Sequence, residues 1–273
     1  MNIKVTKASG VLEPFSEAKI RRSLKRAGAQ PQVIDKILVQ LIGRLHDGLT
    51  TRQIYRQVFD LLNQYQAGQG YHYSLKDALM QLGPSGYPFE KYISRLLTHL
   101  GYRTQTQVIV KGKCLDHEVD VVAAKDNQQF LIECKFHNRA GTKTRSKDAL
   151  YVQARFEDIK ETGSGYQQMW LVTNTKLTSN TIKYGLCRGI KLLAWRYPAA
   201  NGLESLIEAN KFHPLTCLTF LNQDDCRRLY QNNLLLCRDL AHLKKQELIN
   251  LGLNSTAITQ ILDFFSLPNN IFI

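Results

Sequence analysis

"HEVDVVAAKDNQQFLIECKF", residues 117–136, decides how this chain folds and what it can do. Two apolar runs flank the polar turn AKDNQQ, which predicts a β-hairpin, yet Glu118, Asp120, Glu133 and Lys135 interrupt both strands. Strand residues two apart share a face, so Glu133 projects with Lys135 and Leu131, and Glu118 projects with Asp120. An exposed hairpin edge carries alternating charges freely. These strands are too apolar for that, with Val119, Val121, Val122, Ala123, Phe130, Leu131 and Ile132 around the acids, and buried charge is costly without a partner. A metal ion between the carboxylates removes the conflict. Asp120, Glu133 and the backbone carbonyl of Cys134 make an oxygen set suited to Mg²⁺ or Mn²⁺. Such an ion polarises a phosphate and acidifies a bound water, while the Lys135 ammonium orients that water and offsets growing negative charge. This is the chemistry of phosphodiester hydrolysis.

Upstream, GPSGYP (83–88) punctuates the chain and sets a boundary between residues 84 and 85. The next stretch, FEKYISRLLTHLGY, places Phe89, Tyr92, Ile93, Leu96, Leu97 and Leu100 on one helical stripe. Strands are expected at about 105–111, 117–124 and 129–136, then a helix near 147–160, a strand MWLVTN, a helix from about 178 to 188 and a strand KLLAWRY. Strands alternating with helices predict an α/β sheet covered on both faces. Residues 135–147, KFHNRAGTKTRSK, hold five basic side chains and no acid, so Arg139, Lys143, Arg145 and Lys147 are expected to track a DNA phosphate backbone. His117 and His137 flank the site and read as hydrogen-bonding neighbours rather than as the base.

The spacing D-x12-E-C-K resembles the PD-(D/E)xK nuclease signature, without its Pro. Together with the order of elements over about 85–197, and with LYVQARF on the helix after the acidic strands, the segment resembles the Mrr-type branch of restriction endonuclease-like proteins. The resemblance implies an α/β/α nuclease core acting on DNA. It implies Asp120 and Glu133 as metal carboxylates, Lys135 as catalytic lysine, Gln153 as the glutamine on the following helix and Glu90 as an acid from the first helix. Many relatives have a neutral residue where Glu118 stands. A homodimer is a further implication, since cutting two strands needs two sites.

Residues 1–84 read as a small hairpin on four helices, the first capped by Ser16 and ending at Gly28, the second opening at Pro31, the third capped by Thr50 or Thr51, the fourth spanning about Tyr73 to Leu82. VTKASG, EPFSEAKI and TTRQIY resemble, in order and spacing, the ATP-cone, an allosteric nucleotide-binding module, over about 3–84. That resemblance places Val5, Lys7, Gly10, Glu13, Lys19 and Thr51 around ATP or dATP. The family's usual Arg-Asp after the lysine is Ala8 and Ser9 here. Residues 206–273 read as helical, without internal repeat, and end in LINLGLNSTAITQILDFF, a helix-hairpin-helix-like pair about a Gly turn.

The net charge of +13 points to a polyanionic partner. Its excess sits in 1–84, with twelve basic against six acidic residues, and in 85–205, with eighteen against eleven; 206–273 is balanced at six each. The six cysteines form no CxxC pair, which argues against a disulfide framework or a zinc site. No stretch approaches a membrane span, the N-terminus lacks the apolar block of a secretory signal, and a cytoplasmic protein is expected. Without GxxxxGK[ST] there is no P-loop motor. The sequence thus describes a multidomain α and α/β protein: an ATP-cone (1–84), a nuclease domain (85–205) and a helical C-terminal domain (206–273). The leading reading is a metal-dependent DNA endonuclease adjusted by an adenine nucleotide. The alternatives are a non-catalytic, nucleotide-sensing DNA-binding regulator and an RNA or junction nuclease.

Overall fold

The computed structural model describes residues 3–7, 10–66, 69–139, 141–266 and 272; Ala8 and Ser9 lie outside the described residues. The chain forms two compact units, Met80–Phe212, and Met1–Leu79 together with His213–Ile273. The crossings follow Leu79 and Phe212, and the C-terminal segment shares a unit with the front segment.

The front segment pairs β1 (Lys4–Thr6) with β2 (Leu12–Pro14) in an antiparallel ribbon. Helices α1 (Glu17–Arg26), α2 (Pro31–Ile42), α3 (Thr51–Tyr65) and α4 (Gln69–Met80) follow. Val5, Leu24, Ile34, Ile37, Leu41, Leu49, Val58 and Leu62 form one buried cluster. Thr50 caps α3 through a reciprocal bond with Gln53, whereas Ser16 sits at the start of α1 without a side-chain cap. α4 begins earlier than its apolar pattern announces.

In the central unit, α5 (Tyr87–His99) buries the predicted stripe Phe89, Tyr92, Ile93, Leu96 and Leu97. It leads into β3 (Arg103–Lys111), β4 (Asp116–Lys125) and β5 (Gln128–Lys135). After a two-residue strand β6 (Lys143–Thr144) come α6 (Ser146–Lys160), β7 (Tyr166–Thr173), β8 (Lys176–Leu177), α7 (Ser179–Cys187), β9 (Lys191–Leu193) and α8 (Leu203–Ala209). The main sheet has the order β3-β4-β5-β7-β9, with β3, β4 and β5 antiparallel and β5, β7 and β9 parallel. The hairpin turn is tight: Lys125 pairs with Gln128, and Asp126 and Asn127 between them have φ of 51° and 60°. Asp and Asn tolerate that left-handed region, and two such residues match the twist of the flanking strands. Leu131, Met169 and Leu171 pack with Ala149, Val152 and Ile159 of α6 in the unit's apolar core.

Asp158 on α6 fixes the β3–β4 connection. It accepts from Cys114 N at 2.8 Å, and its Oδ2 lies 2.7 Å from His117 Nε2. Those donors hold its carboxyl at about 2, the His117 bond contributing most.

After Phe212 the chain forms α9 (Gln223–Gln231), α10 (Lys245–Asn250) and α11 (Ser255–Ser266). Contrary to expectation, a repeat is present. A 3-10 turn followed by a helix occurs at Leu215–Cys217 with α9 and again at Cys237–Leu240 with α10. Asp225 and Glu247 close the two helix starts by accepting from Asn222 N and Lys244 N. The halves are joined by a Pro214–Leu236 bridge. The sequence hides the repeat because its core positions differ, Cys226 in one helix and Leu248 in the other. Thr216 Oγ1 donates to Ala78 O at 2.7 Å, one bond by which this segment joins the front one. The Gly252 turn of the expected helical pair has φ of 74° and offers its carbonyl to Arg228. Among the described residues no helix is long and apolar enough to cross a membrane.

Gly112, in the connection that Asp158 holds, has no room for a side chain: a Cβ there falls 2.0 Å from Asp158 Oδ2 and 2.5 Å from the Leu115 carbonyl. Gly112→Ala is expected to cost about 1–3 kcal/mol of stability, read as a lower denaturant midpoint in urea unfolding.

Candidate active site

The main sheet frays where the acids sit. The β3–β4 ladder pairs Thr106 with Val121 and Val108 with Val119 but skips Gln107 and Asp120, and Gln107 has φ of 54°. The β4–β5 ladder ends at Val121 and Ile132. One step further, the Asp120 carboxylate takes over from the backbone: its Oδ2 accepts from Cys134 N at 2.7 Å. Asp120 is thereby pinned beside Glu133 on the neighbouring strand.

Glu133 is 4% exposed, and both of its oxygens are engaged. Oε1 lies 2.6 Å from Lys135 Nζ, and Oε2 accepts from Arg155 Nη1. Arg155 also donates through Nη2 to the Glu118 carbonyl, tying α6 to β4 as well as β5. The Tyr151 ring lies against both cations, 5.7 Å from Lys135 Nζ and 5.3 Å from Arg155 Cζ.

Neither Asp120 nor Glu90 has a salt-bridge partner among the described residues. Burial, then repulsion from Glu133, raises the Asp120 carboxyl to about 6. Burial, then Asp120, Glu118 and Glu133, raises Glu90 to about 7. Burial pulls Lys135 down, but its bond to Glu133 and the charges of Glu133 and Asp120 outweigh this and raise it, so it stays protonated. Both cations bond to Glu133; their charge also acts to lower Asp120, but burial and repulsion from Glu133 outweigh it. Hard oxygens with unneutralised charge fit a divalent ion. Among the described residues no three His, Cys, Asp or Glu side chains gather as a metal centre. Two carboxylates and a backbone carbonyl are an oxygen donor set of the kind that holds a hard divalent ion together with water. The Cys134 thiol is fully buried and pushed well up, so only that residue's backbone is suited to a hard ion.

One expected residue is arranged differently from the simple picture. Gln153 donates to Glu157 on its own helix at 2.9 Å, and its buried Oε1 lacks a partner. The α6 residue that reaches the acids is Arg155, which sequence reading missed. A signal existed: Arg155 lies on the apolar stripe of Ala149, Val152 and Ile159, where a cation needs a buried anion.

His137 anchors the basic loop. Its amide donates to Asn174 Oδ1 at 2.9 Å, and its Nε2 lies 3.0 Å from Thr144 Oγ1. Thr144 donates to Thr173, which donates to the Lys135 carbonyl at 2.7 Å. Burial lowers the His137 pKa, which keeps the ring neutral in this network. Arg139, Lys143, Arg145 and Lys147 are exposed on the segment so held.

In the front segment, Glu13 binds both expected lysines, Lys7 Nζ at 2.5 Å and Lys19 Nζ at 3.3 Å. Its carboxyl is lowered, chiefly by the Lys7 bond. Gly10 turns the ribbon with φ of 80°, Val5 is buried, and a Thr6–Thr50 bridge brings β1 to the start of α3, where Thr51 stands.

Two interior strands that part where paired acids and a lysine sit, with a cation from the following helix, are the mark of a restriction endonuclease-like domain, and residues 83–195 match the restriction endonuclease family. Residues 3–75 match the ATP cone domain and residues 213–264 the AF1548-like C-terminal domain. An uncharacterized protein of Archaeoglobus fulgidus (strain ATCC 49558) is 38% identical over 170 residues, 62% of this chain and 95% of that protein. The crystal structure of AF1548, a protein of unknown function, superposes with a TM-score of 0.59 at 35% identity, covering 67% of this chain and 97% of that one. The chain belongs to this AF1548-like family, here with an ATP cone joined to the nuclease domain.

The raised Asp120 pKa makes a stability prediction for the metal-free protein. A carboxyl held at about 6 when folded, against its ordinary 3.8, costs stability in full above pH 6, and the cost fades as pH falls toward 4. Asp120→Asn removes the charge and keeps an acceptor for Cys134 N. In EDTA it is expected to raise the melting midpoint by about 2–4 °C at pH 8, with the gain shrinking toward pH 4.

Proposed function

We propose that the chain is a Mg²⁺- or Mn²⁺-dependent endodeoxyribonuclease of the cytoplasm whose activity is adjusted by ATP or dATP bound to the ATP cone. The observation that carries the proposal is the Asp120 carboxylate pinned to the Cys134 amide beside Glu133, with uncompensated acid charge and the Lys135 ammonium alongside. In this reading Asp120, Glu133 and the Cys134 carbonyl hold the divalent ion, which when bound supplies Lewis acidity toward the scissile phosphate. Lys135 positions the attacking water and offsets charge on the phosphoryl oxygens. Glu133 holds Lys135 in place, and Tyr151 shields the pair from solvent on one side. Glu90 adds a further acid from α5. Gln153 keeps its family role in the same reading, through its buried, unpartnered oxygen. DNA is the substrate because the exposed cations of the 135–147 loop adjoin this site, and a homodimer supplies the second cut.

In the front module, Lys7 and Lys19 exchange Glu13 for triphosphate oxygens, with Val5, Gly10 and Thr51 lining the nucleotide. One observation favours a second reading, a non-catalytic regulator: both Glu133 oxygens are already held by cations.

Supercoiled-plasmid nicking separates the two. The wild type is expected to nick with Mg²⁺ or Mn²⁺, and Asp120→Ala and Lys135→Ala to lose about 100-fold or more in rate while still retarding DNA on a gel. Intact plasmid under either metal, with normal retardation, selects the regulator. In calorimetry with ATP and dATP, Lys7→Ala and Lys19→Ala are each expected to weaken binding about tenfold.

A further inference from the structure

Arg139, Gly141, Thr142, Lys143, Arg145 and Thr178 line an open cavity of about 590 Å³ beside the segment after β5. The lining has three cations, two hydroxyls and no carboxylate. Among the described residues none of the three cationic heads is in an ion pair. A second observation points the same way. The β6–β8 register sets Lys143 directly beside Lys176, both exposed, while their neighbours Thr144 and Leu177 are buried. Like charges paired across strands repel and destabilise the pairing unless an anion lies between or near them.

The segment that lines the cavity is hydrogen-bonded at both ends. His137 is bonded to Asn174 ahead of Arg139, and Thr144 is bonded to Thr173 and, through its carbonyl, to Thr181 Oγ1 at 3.1 Å. Thr173 in turn holds the Lys135 carbonyl. The space greatly exceeds a bare phosphate and admits the attached sugar. A backbone phosphodiester brings one negative charge, which three cations in one lining over-match; a phosphomonoester brings nearly two and more acceptor oxygens.

We propose that this cavity is a phosphomonoester subsite, taking the terminal phosphate of a nucleic-acid strand or of a free sugar phosphate at a fixed offset from Lys135. This inference rests on the nuclease reading for its purpose but not for its test. Full-length protein in EDTA is titrated with a short labelled DNA duplex bearing a 5′-phosphate, a 3′-phosphate or neither, and separately with deoxyribose 5-phosphate, which lacks a base for the ATP cone. One of the phosphorylated ends is expected to bind about tenfold tighter than the unphosphorylated duplex. Arg139→Gln with Lys143→Gln, or Arg145→Gln alone, is expected to abolish that preference at unchanged melting temperature. Binding of deoxyribose 5-phosphate without an end preference assigns the site to a free sugar phosphate. Equal binding of all three duplexes and no deoxyribose 5-phosphate binding overturns the inference. Nicking of a closed plasmid, which has no ends, reports on the nuclease reading independently.

Discussion

A carboxylate buried at the end of β5 is tolerable only because two cations from different elements reach it. Glu133 receives Lys135 along its own strand and Arg155 from α6, and Arg155 simultaneously closes on the Glu118 carbonyl of β4. Removing one partner of such a buried pair is expensive, about 3–5 kcal/mol where it has been measured, because it strands a charge in low dielectric. The triad therefore fixes α6 against the β4–β5 edge. It also fixes where uncompensated charge falls, on Asp120 and Glu90, whose carboxyls are pushed up. Structure and chemistry share one constraint here: among the described residues the cations that bond to Glu133 form no ion pair with Asp120 or Glu90.

Much of this was legible in the sequence because it is local. The hairpin follows from alternating strands around Asp126-Asn127, and the α5 stripe from 3.6-residue spacing. Convergence of Asp120 on β5 follows from hairpin pairing once the turn is placed. What was not legible depends on contacts between distant segments. The apolar stripe of α6 marks Arg155 as buried, but which anion it meets is set only when α6 is laid on the sheet. The β6–β8 pair joins two-residue strands far apart in sequence, too short to carry a period. The C-terminal repeat is structural, kept by capping acids at Asp225 and Glu247 rather than by matching core residues.

The front module uses the same physics in a softer form. Glu13 holds Lys7 and Lys19 at the surface, where ion pairs are worth little and exchange readily with a better anion. A triphosphate offers that exchange, whereas the Glu133 triad, buried and doubly paired, does not yield to a passing anion. The contrast is between an exposed, exchangeable ion pair and a buried one. The Archaeoglobus relative is nearly fully matched by 170 residues of this chain, fewer than the three matched modules together occupy, so the family's shared part is shorter than this protein.

The hydrogen-bonded run from the Lys135 carbonyl through Thr173 and Thr144 to His137 gives the basic loop a different standing from an ordinary surface charge run. A solvated loop contributes charge at a distance blurred by its own motion, and salt screens that contribution. A loop whose two ends are bonded into β7 and the segment after it holds its cations at a set distance from the lysine on β5. Thr144, Thr173 and Thr181 are fully buried, so each lost hydroxyl would leave an unmet polar group, which explains why threonines rather than valines occupy this junction. The threonine junction thus ties a run of positive charge to β7 and, through the Lys135 carbonyl, to β5.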